Sequence, residues 1–145
     1  MVFSWPLRVY IEDTDYGGIV YYVNYLKFME RARTELLRSL GFSQQQLALQ
    51  QRLFVVHKVD CQYKLPALLD DELIVETSLK EQGAARVVFR QKIIRIRDAS
   101  ELCQAEVQVA CVNSTSMKPC RWPAAISTGL EKYCQCHSEG EKSAR

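Results

Sequence analysis

Three acids, Glu12, Asp13 and Asp15, stand just before the paired glycines Gly17 and Gly18 and the apolar run Ile19-Val20-Tyr21-Tyr22. Acids beside glycines suit a cation site, a phosphate loop, a plain turn, or a carboxylate that attacks or deprotonates. A helix–loop–helix calcium site does not fit, because Gly17 falls where a ligand oxygen is wanted and a strand-like segment precedes the acids. A phosphate loop does not fit either, since neither G-x-x-x-x-G-K-[ST] nor G-x-G-x-x-G occurs and carboxylates would repel the phosphate. Asp13-Thr14-Asp15 has the D-x-D spacing of a phosphotransferase nucleophile, but such enzymes need a magnesium site and a larger α/β framework. Two readings stay open. In one, the acids sit in a strand-to-helix turn, where the helix dipole favours each by about 0.3–1 kcal/mol. In the other, the glycines let a second molecule approach closely. A carboxylate there attacks an acyl group whose carbonyl oxygen faces the free N–H groups of the first helical turn.

Either reading needs a helix to begin after the glycines, and the periodicity predicts one. Tyr25, Phe28, Met29, Ala32, Leu36 and Leu40 recur at three- and four-residue steps, while Lys27, Glu30, Arg31, Arg33, Glu35 and Arg38 fill much of the remainder. Asn24 suits the N-cap and Gly41 the C-terminal stop. Residues 2–11 read as a first strand, and residues 43–51 as a short helix opened by a Ser cap. After that the period changes: residues 53–63, 72–80, 85–97 and 101–113 are strand-like, and Ala105, Val107, Val109 and Cys111 alternate with Glu106 and Gln108. The short connections favour antiparallel neighbours. The expected class is α+β, one long amphipathic helix lying on a five-stranded antiparallel sheet. The sheet's second face and its edges still need cover, which self-association supplies. Residues 1–128 read as one domain and residues 129–145 as a polar, poorly ordered tail.

Bulk composition narrows the function further. In 145 residues there are 19 basic and 17 acidic side chains, for a net charge of +2, with no dense basic run. A nucleic-acid partner is not supported. No stretch approaches the ~18 continuous apolar residues of a membrane span, and the start lacks an export signal, so the expected compartment is the reducing cytosol. The six cysteines include no C-x-x-C pair and the chain has two histidines, His57 and His137. Cys61 and Cys111 lie in strand patterns, where cysteine behaves as a small hydrophobe. The one local cluster, Cys134-Gln135-Cys136-His137, lies in the polar tail and reads as surface thiols rather than a metal site.

The stretch RVYIEDTDYGGIVYYVNYLKFMERARTELLR, residues 8–38, resembles the start of the hotdog-fold acyl-CoA thioesterases of the 4-hydroxybenzoyl-CoA thioesterase family, nearest the bacterial branch associated with the Tol-Pal envelope system. FVVHKVDCQYKLPALLDDELIVET and AEVQVACVN…MKP extend the resemblance over roughly residues 5–125. It implies a long helix wrapped by an antiparallel sheet, protomers pairing their sheets into a homodimer and then a homotetramer, an active site at the dimer interface, and no cofactor or metal. It places the catalytic aspartate at Asp15, as nucleophile through a mixed anhydride or as general base for water. It places the amide that polarises the thioester carbonyl at the backbone N–H of Tyr22. That branch usually carries His in a V-Y-H triplet at position 22, whereas Tyr, as here, occurs in aromatic acyl-CoA thioesterases of the family. The substrate class therefore stays broad: short-chain aliphatic or aromatic acyl-CoA, or an acyl-carrier protein.

Around these two residues, Asp13 is expected to hold the turn, Gly17 and Gly18 to admit the thioester, Asn24 to cap the helix, and Glu30 to support from the helix face or simply face solvent. Arg86, after EQGA, lies in a region that faces the CoA nucleotide in relatives, and Arg suits phosphate through its fork of donors. His57 and Lys58 are candidates for CoA phosphate or the pocket rim, or are ordinary strand residues. Two rival functions remain. A hotdog hydratase or dehydratase relies on a histidine paired with an acid, and within the domain only His57 is available. A non-catalytic acyl-CoA-binding, envelope-associated protein would not need an acid aimed at an acyl carbon.

Overall fold

A computed structural model describes residues 1–134. The elements run β1 (Phe3–Arg8), a 3₁₀ turn (Ile11–Asp13), α1 (Val23–Ser39), α2 (Gln44–Leu49), β2 (Arg52–Tyr63), β3 (Glu72–Gln82), β4 (Arg86–Arg95), β5 (Ser100–Asn113) and α3 (Ala124–Glu131). The five strands form one sheet in the order β1-β3-β4-β5-β2, every pairing antiparallel, which leaves β1 and β2 as its edges.

The apolar stripe predicted for α1 is the face it buries: Tyr25, Phe28, Met29, Ala32, Leu36 and Leu37 pack against Leu73, Val75, Phe89, Ile93 and Val107 of the sheet. Phe28 is 1% exposed, so Phe28→Ala would cost about 3–5 kcal/mol. At its far end α1 stops as a Schellman motif. Gly41 takes φ +92°, its N–H donates to Arg38 O and the Phe42 N–H donates to Leu37 O. The Ser43 cap on α2 is also present: Ser43 Oγ accepts from Gln46 N at 3.2 Å and Gln46 Oε1 accepts from Ser43 N at 3.1 Å.

Three expectations need correction. Asn24 is not an N-cap. Tyr22 holds that position, and Asn24 lies buried in the first turn with its amide turned to the Asp13 carbonyl. The first strand ends at Arg8, because the chain tightens into the 3₁₀ turn before Asp13. The packed chain also runs past residue 128. α3 crosses that position with Ile126 and Leu130 fully buried, followed by Tyr133 at 6% exposure. A Cβ on Gly129 would lie 2.9 Å from Leu40 Cδ2, so this glycine lets α3 come close to the end of α1.

Cys111 is buried, which pushes its thiol up to about 12, and its Sγ lies 3.6 Å from that of Cys120. Cys134 pairs beside Leu79 in parallel and is disulfide-bonded, where the sequence pattern suggested free thiols. The rest of the Cys134–His137 cluster lies outside the described residues. Among the described residues no helix is long and apolar enough to cross a membrane.

Candidate active site

The acidic-glycine stretch folds as a small antiparallel hairpin laid against the start of α1. Its rungs are Tyr21 N to Asp13 O at 3.0 Å and Asp15 N to Ile19 O at 2.9 Å. Gly18 N closes the turn onto Asp15 O at 3.0 Å, and Gly18 sits at φ +77°, where a side chain would be strained. The hairpin is pinned to the body by Val20 N to Ala67 O at 2.9 Å, and Ala67 N donates in turn to the Tyr25 hydroxyl at 2.9 Å. Its position relative to α1 is therefore set by backbone and a buried tyrosine rather than by side-chain contact alone.

At the tip, Asp15 Oδ1 accepts from Gly17 N at 2.8 Å, a local turn bond that holds the carboxylate's orientation. The other carboxylate oxygen takes no partner among the described residues, and the residue is exposed. A Cβ on Gly17 would stand 3.3 Å from Asp15 Oδ1, so glycine there keeps the carboxylate uncrowded. Asp13 faces the other way. Its Oδ2 accepts from Tyr10 N at 2.9 Å and its carbonyl accepts from Asn24 Nδ2 at 2.9 Å, which couples the 3₁₀ turn, the hairpin and α1.

Tyr22, with φ −56° and ψ −30°, is already helical in backbone. Intrahelical bonding starts after it, with Asn24 N to Tyr21 O and Tyr25 N to Tyr22 O, and the Tyr22 N–H has no partner among the described residues. A free N–H at the positive end of a 17-residue helix is a donor for a developing oxyanion. Aromatic rings floor this end of the molecule. Tyr22 meets Tyr21 at 5.1 Å and Tyr63 at 5.9 Å, and Tyr63 meets Tyr25 at 5.6 Å, centroid to centroid. Burial raises the Tyr25 and Tyr63 phenols above their ordinary range, so both stay neutral near neutral pH. Tyr63 and Ala67 were invisible to motif reasoning because sheet topology alone brings them to the hairpin.

The other candidate residues are spread out. Glu30 is exposed on α1, eight residues beyond Tyr22, or about 12 Å along the axis. His57 is the extra residue of a β-bulge: Val56 opposes Val109 and Lys58 opposes Gln108, with His57 between them, and both His57 and Lys58 are exposed. Arg86 opposes Ala110, which itself opposes Val55, whereas Tyr63 opposes Cys103. Those two ends of β5 lie seven residues, or roughly 24 Å, apart. A single protomer thus gathers Asp13, Asp15, Gly17, Gly18, Tyr22 and Asn24, and leaves Arg86 at the opposite end of the sheet. Among the described residues no three His, Cys, Asp or Glu groups are placed to hold a metal.

A long helix wrapped by a five-stranded antiparallel sheet, with an acid-bearing hairpin at the helix start, is the hotdog architecture. The family model of the thioesterase-like superfamily matches residues 9–130, and the chain belongs to that family. It is 48% identical over 129 residues to the acyl-CoA thioesterase YbgC of Haemophilus influenzae, covering 88% of this chain and 93% of the relative. It is 46% identical over 125 residues to the acyl-CoA thioester hydrolase YbgC of Escherichia coli O6:H1, covering 86% of this chain and 92% of the relative. A 1,4-dihydroxy-2-naphthoyl-CoA thioesterase from Synechocystis superposes with a TM-score of 0.84 at 23% identity, covering 90% of this chain and 96% of that one, and bears on the fold alone.

Proposed function

We propose that this chain is an acyl-CoA thioester hydrolase, with Asp15 as the catalytic carboxylate and the Tyr22 backbone N–H as the donor that polarises the thioester carbonyl. The observation that carries the reading is the hairpin: it holds one Asp15 oxygen on Gly17 N at 2.8 Å, leaves the other free, and sits beside an unspent helix-start amide. As nucleophile, the free oxygen bonds to the acyl carbon, the carbon–sulfur bond breaks, and CoA leaves as thiolate before water opens the anhydride. As general base, the same oxygen takes a proton from the water that attacks. Label recovered in Asp15 after single turnover in ¹⁸O-water identifies the anhydride route with water attacking the aspartyl carbon, since the general-base route sends the label to the product alone.

The reading includes a homodimer formed along β2, assembling further to a tetramer. Antiparallel pairing of β2 with its copy reverses the two ends of the sheet. It supports carrying Arg86, Lys58 and His57 of one protomer toward the hairpin end of the other, as contacts for CoA. A hydratase is disfavoured because His57, the one histidine among the described residues, stands exposed in a bulge with no acid bonded to it.

Free-thiol release from short, long and aromatic acyl-CoA esters tests the assignment, with Asp15→Asn beside the parent. Loss of at least about 100-fold in turnover is expected, with an unchanged melting temperature, since positioned acids and bases contribute about 10²–10⁴. Hydrolysis by Asp15→Asn at the parent rate would overturn it.

A further inference from the structure

We infer that Tyr25 and Asp71 are positioning residues for the hydrolysis, a role that rests on the reading of Asp15 and Tyr22 given above. They seat the segment Pro66-Ala67-Leu68, and that segment fixes where the Asp15 carboxylate stands relative to the Tyr22 N–H. Neither side chain hydrogen-bonds to Asp15 or Tyr22 among the described residues, so both act through the backbone that lies between.

The carboxylate and the amide belong to different elements. Asp15 is exposed, and its hydrogen bonds all stay within the hairpin, so it goes where the hairpin goes. The Tyr22 N–H belongs to the start of α1. Ala67 joins the two. Its N–H donates to the Tyr25 hydroxyl on α1 at 2.9 Å, and its carbonyl accepts from Val20 N of the hairpin at 2.9 Å. Leu68 adds an antiparallel bridge to Ile19. Val20, Tyr25 and Ala67 are all buried, so water does not compete for these bonds.

Asp71 fixes the segment itself. Leu68 N donates to Asp71 Oδ2 at 2.8 Å, and Asp71 N donates to Leu68 O at 3.1 Å, closing a turn in which Asp70 takes φ +69°. The Asp71 carbonyl accepts from Val9 N at 2.9 Å, and Asp70 N donates to Val9 O at 3.0 Å. Val9 leads into the acidic hairpin and Val20 leads out of it, so Asp71 ties down both legs. Arg95 completes the clamp, because its Nη1 donates to Asp71 Oδ2 at 3.3 Å and to Pro66 O at 3.2 Å. Asp71 is buried, and the Arg95 side chain is only 11% exposed. Pro66 O, both backbone groups of Ala67 and both of Leu68 are therefore all taken, which leaves the segment one seat.

A shift of about 1 Å in a reacting group can lower its rate by about 100-fold. Tyr25→Phe removes one oxygen and leaves the Ala67 N–H buried without its acceptor. Asp71→Asn keeps an oxygen for Leu68 N but drops the charge that Arg95 meets. Thiol release from the acyl-CoA ester that the parent hydrolyses best, measured well below melting, reads both variants. Each should lower kcat per folded molecule by about tenfold and move KM by less than about twofold. Ser43→Ala, which loses the α2 cap, should melt lower yet keep the parent kcat, so lost stability alone does not produce the effect. In an Asp15→Asn background, Tyr25→Phe should lower the residual turnover by less than about twofold, because no carboxylate remains to be placed. A folded Tyr25→Phe with the parent kcat, or the same loss in both backgrounds, would overturn the positioning role. Tyr25→Phe keeps the ring, so the test stands even where Asp71→Asn does not fold. Asp15→Asn at the parent rate would instead remove the carboxylate's own role, so the two failures are told apart.

Discussion

At the hairpin tip, Gly17 and Gly18 are required for different reasons. Gly17 lacks a positive φ, but its missing Cβ would approach Asp15 Oδ1 to 3.3 Å, close enough that the carboxylate must shift by a few tenths of an ångström. Gly18 has open space where its Cβ would be and a backbone at φ +77°. Gly17→Ala should therefore lower turnover by about tenfold with little effect on melting, because small displacements of a reacting group are expensive in rate. Gly18→Ala should do the reverse, costing about 1 kcal/mol of stability and sparing turnover per folded molecule. Thermal melts and thiol release on both variants check the contrast; the opposite pattern would remove Asp15 from the chemistry. These residues were legible in the sequence because every partner they need is local: Asp15 bonds Gly17 and Ile19, and Asp13 reaches Tyr21. Tyr63 was not, since its sequence separation from Tyr22 and Tyr25 is closed only by the order of the strands.

At the scale of elements, the β4–β5 turn carries the clearest acid-sensitive contact. Asp98 accepts from Arg95 Nε at 3.2 Å and Nη2 at 3.1 Å, and from Ser100 N at 3.1 Å, and Arg95 also meets Asp71 at 3.3 Å. The Arg95 bonds, chiefly, hold the Asp98 carboxyl down at about 2, below its unfolded value of 3.8. A depressed acid stabilises fully above its unfolded value and loses that contribution as pH falls through the folded one. Asp98→Asn should then melt below the parent at pH 5, and the gap should narrow toward pH 2; a gap independent of pH would place the turn's stability elsewhere. Long periodic elements were readable in the same physical sense: α1 declares itself by its apolar stripe and stops at Gly41, and β5 by its alternation. Short ones were not. Asn24 looks like a cap, yet the chain enters the helix at Tyr22, so its amide serves the Asp13 carbonyl instead. α3 offers too few turns to show a period and contains Gly129, a poor helix former kept because Leu40 packs against it.

The two edges of the sheet differ in what they invite. β1 has only six residues and includes Pro6, which has no N–H to offer another strand. β2 runs for 12 residues and exposes Leu53, Val56, Val59 and Tyr63 at 40–46% each, a long apolar edge of the kind that proteins cover. It ends at Tyr63, against the ring of Tyr22, so whatever covers β2 also meets the helix start beside the Asp15 hairpin. The bulge at His57 interrupts its pairing with β5 and turns His57 and Lys58 outward, adding charge beside the apolar strip. If a second copy covers β2, as proposed above, Val59→Asp should split the pair, because a carboxylate would be desolvated between the strands. Val59 is 40% exposed in the protomer, so the fold itself should lose little, within about 0.5 kcal/mol for a surface site. Sedimentation at micromolar concentration should read the monomer mass for the variant and at least twice that for the parent. Thiol release should fall with it if Arg86 and Lys58 reach the substrate from a second copy. A monomeric Val59→Asp that keeps full turnover would place the whole reaction within one protomer, and a parent that sediments as a monomer would leave β2 to another partner.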